Sequence, residues 1–335
     1  MDDLAALVDD VAGSAAFSGA VRVDRAGEVV LAVAYGMADR RLGVANTVDT
    51  RFAMASGSKG FTALVVASLV SDGRLSMDTT ARSLLGDDLP LVDERVTIEH
   101  LLAHRSGIGD YLDEDAAGPI TDYVLPVSVH LLDTTEAFVP VLDGFPQVFP
   151  PGERFAYNNG GFVLLAVLAE RAAGVPFTEL VRARVCEPAG MERTAYLRSD
   201  ELPADAALGY LEATGPRTNV FHLPVVGSGD GGAYTTLEDI HRLWAAVVDG
   251  RIVPPSLFAE MTRPWSDAPL NDARYGLGFW LDEEGPGVFL EGYDAGVSFR
   301  SHHDPVAATT WTVVSNWSDG AWPVVKAVTR ATRPS

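Results

Sequence analysis

The sequence predicts an α+β fold in which an antiparallel β-sheet is flanked by helices and interrupted by a mainly α subdomain. Three observations carry this. Strand-like patterns gather at the two ends of the chain, helical patterns fill the stretch between, and nothing resembling a linker separates them. The organisation that follows is one domain over 1–335. An α/β subdomain comes from about 1–75 plus 230–335, and a mainly α subdomain from about 76–229.

Taken in order, Leu4, Leu7, Val8 and Val11 recur at helical spacing and predict an amphipathic opening helix. GAVRV and VVLAVAYG, joined through DRAGE, predict a β-hairpin. From Ser58 to Leu75 the pattern turns helical, and Phe61, Leu64, Val65, Ala67, Leu69 and Val70 make it too continuously apolar for a surface helix. The middle carries the helical patterns TIEHLLAH, FVLLAVLAERAAG and FTELVRARV among loops rich in Gly, Pro and Asp. After residue 230 come one more helix, LEDIHRLWAAVVDG, and the strand-like pieces YGLGFWLDEE, GVFLEGYD, GVSFRSHHD and TTWTVVSNW. These strands need partners, and the N-terminal hairpin can supply them. No internal repeat or low-complexity tract is present.

At 335 residues, 47% of them apolar, the chain can bury a large core. Its 46 Asp and Glu against 25 Lys and Arg give a formal charge of −21, which repels nucleic-acid phosphates and anionic membranes alike. No nucleic-acid or membrane partner is expected. No run approaches the roughly 18 apolar residues of a membrane span, and MDDLAALVDDVAG lacks the basic start of a secretory signal. One cysteine, Cys186, gives no intramolecular disulfide, so a cytoplasmic setting is expected. Cys186 has no cation clearly placed to form a thiolate and reads as packing.

Chemistry concentrates in two segments. ASGSKGFTALVVASLV puts Ser56 at the start of the apolar helix and Lys59 at i+3, on one face. A serine hydroxyl needs a group to take its proton, and a desolvated lysine can do so because burial disfavours the ammonium. In PPGERFAYNNGGFVLLAVLAERAAG, Tyr157 and Asn159 precede a second apolar helix. A tyrosine beside a lysine can exchange a proton with it, and Asn159 can hold the lysine and a substrate amide. Each segment alone is also compatible with a helix cap and a solvated side chain.

Together they resemble the serine β-lactamase and DD-peptidase superfamily, most closely its class C and esterase-like branch. S-G-S-K at 56–59 and Y-N-N at 157–159 match its first and second motifs in order. GMADRR, LLAHRSGIGDY, FPPGERFAYNN, GGAYTTLEDIHRLW, YGLGFW and TVVSN extend the likeness from about Ser18 to Asn316. The third motif, K-T-G or H-x-G in the family, departs. In GVFLEGYDAGVSFRS its slots fall on Tyr293, Asp294 and Ala295, leaving no Lys or His there to meet a substrate carboxylate. The resemblance implies an oxyanion hole made by the backbone N–H groups of Ser56 and, on this strand, Gly296.

Other constellations compete weakly. His100 and His104, four apart, and the cluster His302, His303 and Asp304 suggest metal ligands, but no Glu follows His100 as an H-E-x-x-H site requires. No metal or other cofactor is expected. His104 is expected instead to fix the loop RSGIGDY. GSGDGG at 227–232 lacks a preceding strand and a P-loop lysine and reads as a tight turn. Ser298 in G-V-S-F-R misses the last Gly of a nucleophile elbow. Asp87-Asp88 and Glu283-Glu284 read as solvated surface.

The expected protein is therefore one catalytic domain, a serine hydrolase with an acyl-enzyme on Ser56. Its expected partner is a small-molecule ester, amide or peptide, in the manner of a carboxylesterase, amidase or D-amino-acid peptidase with little β-lactamase activity. One alternative is a peptidyl or acyl thioester cyclase or acyltransferase on the same site. Another is a ligand-binding or sensory homologue without turnover. Tyr293, Asp294 and Ala295 are the expected substrate-binding residues.

Overall fold

The computed structural model describes residues 2–112, 118–268 and 272–333. Its centre is an eight-stranded antiparallel sheet built from both ends of the chain, as the strand patterns require. β1 (Gly19–Arg25) and β2 (Glu28–Tyr35) form the N-terminal hairpin. Ala26 and Gly27 turn it with φ of 49° and 81°, the two left-handed residues of a twist-matched two-residue turn. β3 (Met37–Asp39) pairs with β4 (Val44–Ala45) at the rim. β5 (Phe52–Ala53) pairs with β6 (Tyr234–Thr235), drawing the two ends of the inserted segment together.

The remaining strands are β7 (Ser266–Ala268), β8 (Ala273–Tyr275), β9 (Trp280–Asp282), β10 (Val288–Asp294), β11 (Val297–Asp304) and β12 (Thr309–Ser315). The sheet order is β2-β1-β12-β11-β10-β9-β8-β7. β1 meets β12 along its whole length, from Gly19 opposite Ser315 to Arg25 opposite Thr309.

Two layers cover the sheet. On one face Asp2–Ser14 and Ala321–Thr332 lay Leu4, Val8, Val324 and Val328 onto Val21, Val23, Trp311 and Val313. The other face packs on the helix Lys59–Ser71, whose residues 59–69 are all buried. Asn159–Ala173 runs beside it, buried from Asn159 to Ala169. A helix buried on all sides has no polar face to mark its orientation, which is why its pattern is nearly continuous.

The segment YGLGFWLDEE differs from its expectation as a single strand. It divides into the end of β8 and β9, because the N–H of Gly276 donates to the carbonyl of Phe279 and closes a turn. Gly278 stands in that turn at φ 83°, and a side chain there would collide with the Cβ of Ala63. The turn thereby seats the strand pair against the helix that carries Lys59.

Candidate active site

Ser56 lies in a 3₁₀ turn, Ala55–Ser58, that leads directly into the helix Lys59–Ser71. The turn is held in a costly conformation. Ala55 sits at φ 45°, a left-handed position that costs a non-glycine residue about 1 kcal/mol or more. Two braces hold it: Ser58 Oγ donates to the Ala55 carbonyl at 2.8 Å and accepts from the Ala233 N–H at 3.1 Å. Ser56 is thereby presented, half exposed, at the positive end of a buried helix.

Lys59 is only 3% exposed, and its Nζ donates to three oxygens, each at 2.8 Å. They are Ser56 Oγ, Asn159 Oδ1 and the Asp230 carbonyl. Ser56, Lys59 and Asn159, the last brought in by the family resemblance, lie together around this nitrogen. The ring of Tyr157 lies beside the same ammonium, 4.9 Å from Nζ to its centroid. Tyr157 is stacked on Trp280 at 5.9 Å and packed against the His104 ring at 4.4 Å, so its orientation is fixed by aromatic neighbours on two elements.

The second segment is anchored by a residue that sequence reasoning passed over. Asp110 accepts from the Asn159 N–H at 2.6 Å and from the Gly160 N–H at 2.8 Å, and Asn158 Oδ1 accepts from Gly161 N–H at 2.6 Å. The first three amides of this helix are therefore satisfied by two side chains. Burial pushes the Asp110 carboxyl up to about 6, against the pull of those backbone amides. The signal was present in GIGDY, a Gly-rich loop ending in a carboxylate, but no spacing rule ties it to a helix 49 residues away.

His104 is wholly buried and adopts φ 52°. Burial, and next the charge of Lys59, push its pKa well below the ordinary value, so the imidazole is neutral. Its Nδ1 accepts from the Asn158 N–H at 3.1 Å and its carbonyl from the Ala156 N–H at 2.8 Å. It therefore braces the strand of chain bearing Tyr157 rather than the loop RSGIGDY. His100 Nδ1 accepts from the Thr97 N–H in a helix-capping box. His302 meets Asp282 at 3.0 Å and His303 meets Thr310 Oγ1 at 2.9 Å. Burial of Cys186 pushes its thiol up to about 12, as suits a packing residue. Ser298 is buried with its Oγ donating to the Trp317 carbonyl, and Asp88 pairs with Arg171.

The third motif needs a correction of register. Gly296 turns the β10–β11 hairpin at φ 77°, and its N–H donates to Ser318 Oγ at 2.8 Å, so that amide is already committed. Ala295 is buried in the same turn, where its carbonyl accepts from Asn219 Nδ2 at 2.8 Å. The glycine that touches the nucleophile's turn is Gly292. A side chain there would collide with the Met54 carbonyl and stand 2.9 Å from the Gly57 nitrogen. The slots before that glycine are Leu290, which is buried and would meet any side chain on Gly60, and Glu291. The cation is absent in this register too.

Pairing also decides which way the β10 amides point. The two-residue turn closes the hairpin at Asp294 opposite Val297, so the backbone groups of Asp294, Gly292 and Leu290 point toward β11. Those of Tyr293 and Glu291 point to the other edge, where β9 pairs only as far as Phe289. The side chain of Tyr293 is exposed and meets Asp319 Oδ1 at 3.3 Å. Asp294 faces a pocket beside the nucleophile's turn.

An eight-stranded antiparallel sheet, backed by a buried S-x-x-K helix with a Y-x-N segment packed on its lysine, defines the class of penicillin-recognising serine proteins. The chain belongs to the beta-lactamase family, whose profile matches residues 4–332. It is similar to a penicillin binding protein from Bacillus halodurans, whose crystal structure superposes with a TM-score of 0.90 at 36% identity, over 97% of this chain and 99% of that one. A D-aminopeptidase of Brucella anthropi is 31% identical over 80% of this chain and 49% of its own length. The esterase EstB of Burkholderia gladioli is 29% identical over 72% of this chain and 68% of its own. The chain thus spans about half the length of that D-aminopeptidase. No single helix among the described residues is long and apolar enough to cross a membrane.

Proposed function

We propose that the protein is a serine hydrolase that cleaves a small-molecule ester or amide through an acyl-enzyme on Ser56. The observation that carries this reading is the position of Lys59 Nζ, buried and 2.8 Å from Ser56 Oγ. A neutral amine has two N–H donors and one lone pair. Once the ammonium has lost a proton, Asn159 Oδ1 and the Asp230 carbonyl hold the two remaining N–H groups, and the contact to Ser56 reverses so that the lone pair accepts from the serine hydroxyl.

In the first step the Oγ–H proton passes to Nζ as Oγ bonds the scissile carbonyl carbon, whose oxygen takes the negative charge. The N–H of Ser56, at the head of the helix, stabilises that oxyanion. The edge-facing N–H of Tyr293 is the second donor, in place of Gly296. Collapse breaks the bond to the leaving alcohol or amine, which takes the proton back from Lys59 or through Tyr157. Water then repeats the sequence in reverse, releasing the acid and restoring Ser56. Tyr157, beside the ammonium, is the proton partner, and Asn159 orients the lysine.

Relatives named D-aminopeptidase and esterase support the ester and amide substrate class. Leu290 and Glu291 where the family keeps a cation argue against substrates that depend on a carboxylate, penicillins among them. A panel of p-nitrophenyl acetate, p-nitrophenyl butyrate and D-alanine p-nitroanilide tests the reading. Turnover of at least one, falling a thousandfold or more in Ser56→Ala, is expected; equal turnover in that variant contradicts it.

A further inference from the structure

A narrow pocket opens against the nucleophile's turn. Gly231, one of its lining residues, lies against the backbone of Ala55 and near the Ser56 nitrogen. Leu112, Ile120, Leu125, Leu223 and Val225 give it apolar walls. Against these walls stand two carboxylates, Asp230 and Asp294, and no lysine or arginine is among the described lining residues. Asp230 accepts from Tyr111 OH at 2.5 Å. Burial raises its pKa while the nearby Lys59 opposes that rise.

A second feature independently points to a ligand. Ser228 lines the same pocket, is 1% exposed, and its Oγ has no hydrogen-bond partner among the described residues. A buried hydroxyl left unpaired costs about 1–3 kcal/mol, so a polar ligand atom would recover what the fold forgoes.

We propose that this pocket seats an ammonium group carried on an apolar part of the substrate, so that the protein acts on aminated rather than carboxylated esters or amides. The inference rests on Ser56 as the nucleophile and adds the chemistry of what it attacks. An ammonium brings three donors and a positive charge to a surface offering two carboxylates and a serine oxygen. An anion in the same place would be repelled by both carboxylates in a poorly solvated setting, where Coulomb energies are largest. A hard metal cation requires six or more oxygens, which apolar walls do not supply.

The test has a binding arm and a turnover arm. Binding of hexylammonium, hexanol and hexanoate to Ser56→Ala is measured by calorimetry, which needs no turnover. Hexylammonium is expected to bind at least tenfold more tightly than either other probe. Adding Asp294→Asn or Asp230→Asn, with folding checked by circular dichroism, is expected to weaken it at least tenfold. In the turnover arm the wild type is given p-nitrophenyl 6-aminohexanoate and p-nitrophenyl hexanoate, each corrected for spontaneous hydrolysis. The aminated ester is expected to show at least tenfold higher kcat/KM.

Equal binding of the three probes overturns the proposal, as does hydrolysis of both esters without preference, and the second result leaves the nucleophile assignment standing. Tight ammonium binding with no turnover of either ester supports the pocket and counts against Ser56 as nucleophile.

Discussion

Gly292 of β10 presses its α-carbon against the carbonyl of Met54, two residues before the nucleophile, with no room for a methyl group between them. The contact sets how closely the strand edge bearing the Tyr293 amide approaches Ser56. Gly292→Ala must push β10 away from the turn or the turn away from β10. A loss of at least a hundredfold in kcat/KM is expected, the scale seen when one oxyanion donor is removed. Steady-state kinetics on a variant shown to be folded by circular dichroism checks it; unchanged activity would mean that β10 does not shape the hole.

Lys59→Met keeps the length of the side chain and removes its proton chemistry. Acylation, followed as the burst of p-nitrophenol in a stopped-flow instrument, is expected to slow by about a hundredfold or more. Tyr157→Phe, which keeps the ring against Trp280 and His104, is expected to slow it by a comparable factor. A variant retaining the wild-type burst rate would remove that residue from the proton pathway.

Asp110 gives a pH signature of its own. Its folded pKa, about 6, lies above its unfolded value of 3.8, so the folded state holds a proton that the unfolded state has already lost across that window. Stability from this group is therefore full below about pH 4 and declines as pH rises through 6. Asp110→Asn cannot ionise, so its melting temperature relative to wild type should rise with pH between 4 and 6. A difference that stays flat across that range would show the carboxyl to titrate elsewhere.

Ser58 bridges Ala55 and Ala233 with one hydroxyl. Ser58→Ala leaves the Ala233 N–H buried and unpaired, and should cost about 1–3 kcal/mol in urea unfolding. A change below about 0.5 kcal/mol would mean that the turn holding Ser56 finds support from other contacts.

Much of this arrangement was legible in the sequence where the signal is local. Ser56 and Lys59 stand three apart where a helix begins, and Tyr157 and Asn159 two apart at another helix entrance; the local spacings fit the site, while only their order in the family pattern joins the two segments. That the N-terminal hairpin joins the C-terminal strands in one sheet was legible, since those strands need partners; that β1 meets β12 was not. Gly292 was not legible in the same way. A period-two pattern says which residues share a face but not which one meets a backbone 235 residues earlier, opposite Gly57, so the third motif was placed three residues too late. Asp230 was hidden for a related reason. GSGDGG reads correctly as a turn, yet what that turn contributes is a main-chain carbonyl to Lys59, which no side-chain pattern records.

Intact-mass spectrometry after exposure to a p-nitrophenyl alkylphosphonate, comparing wild type with Ser56→Ala, tests whether Ser56 is the nucleophile. A single covalent adduct is expected on the wild type, mapped to Ser56 by peptide digestion, and none on the variant. No adduct on the wild type, or the same adduct on Ser56→Ala, would contradict that assignment.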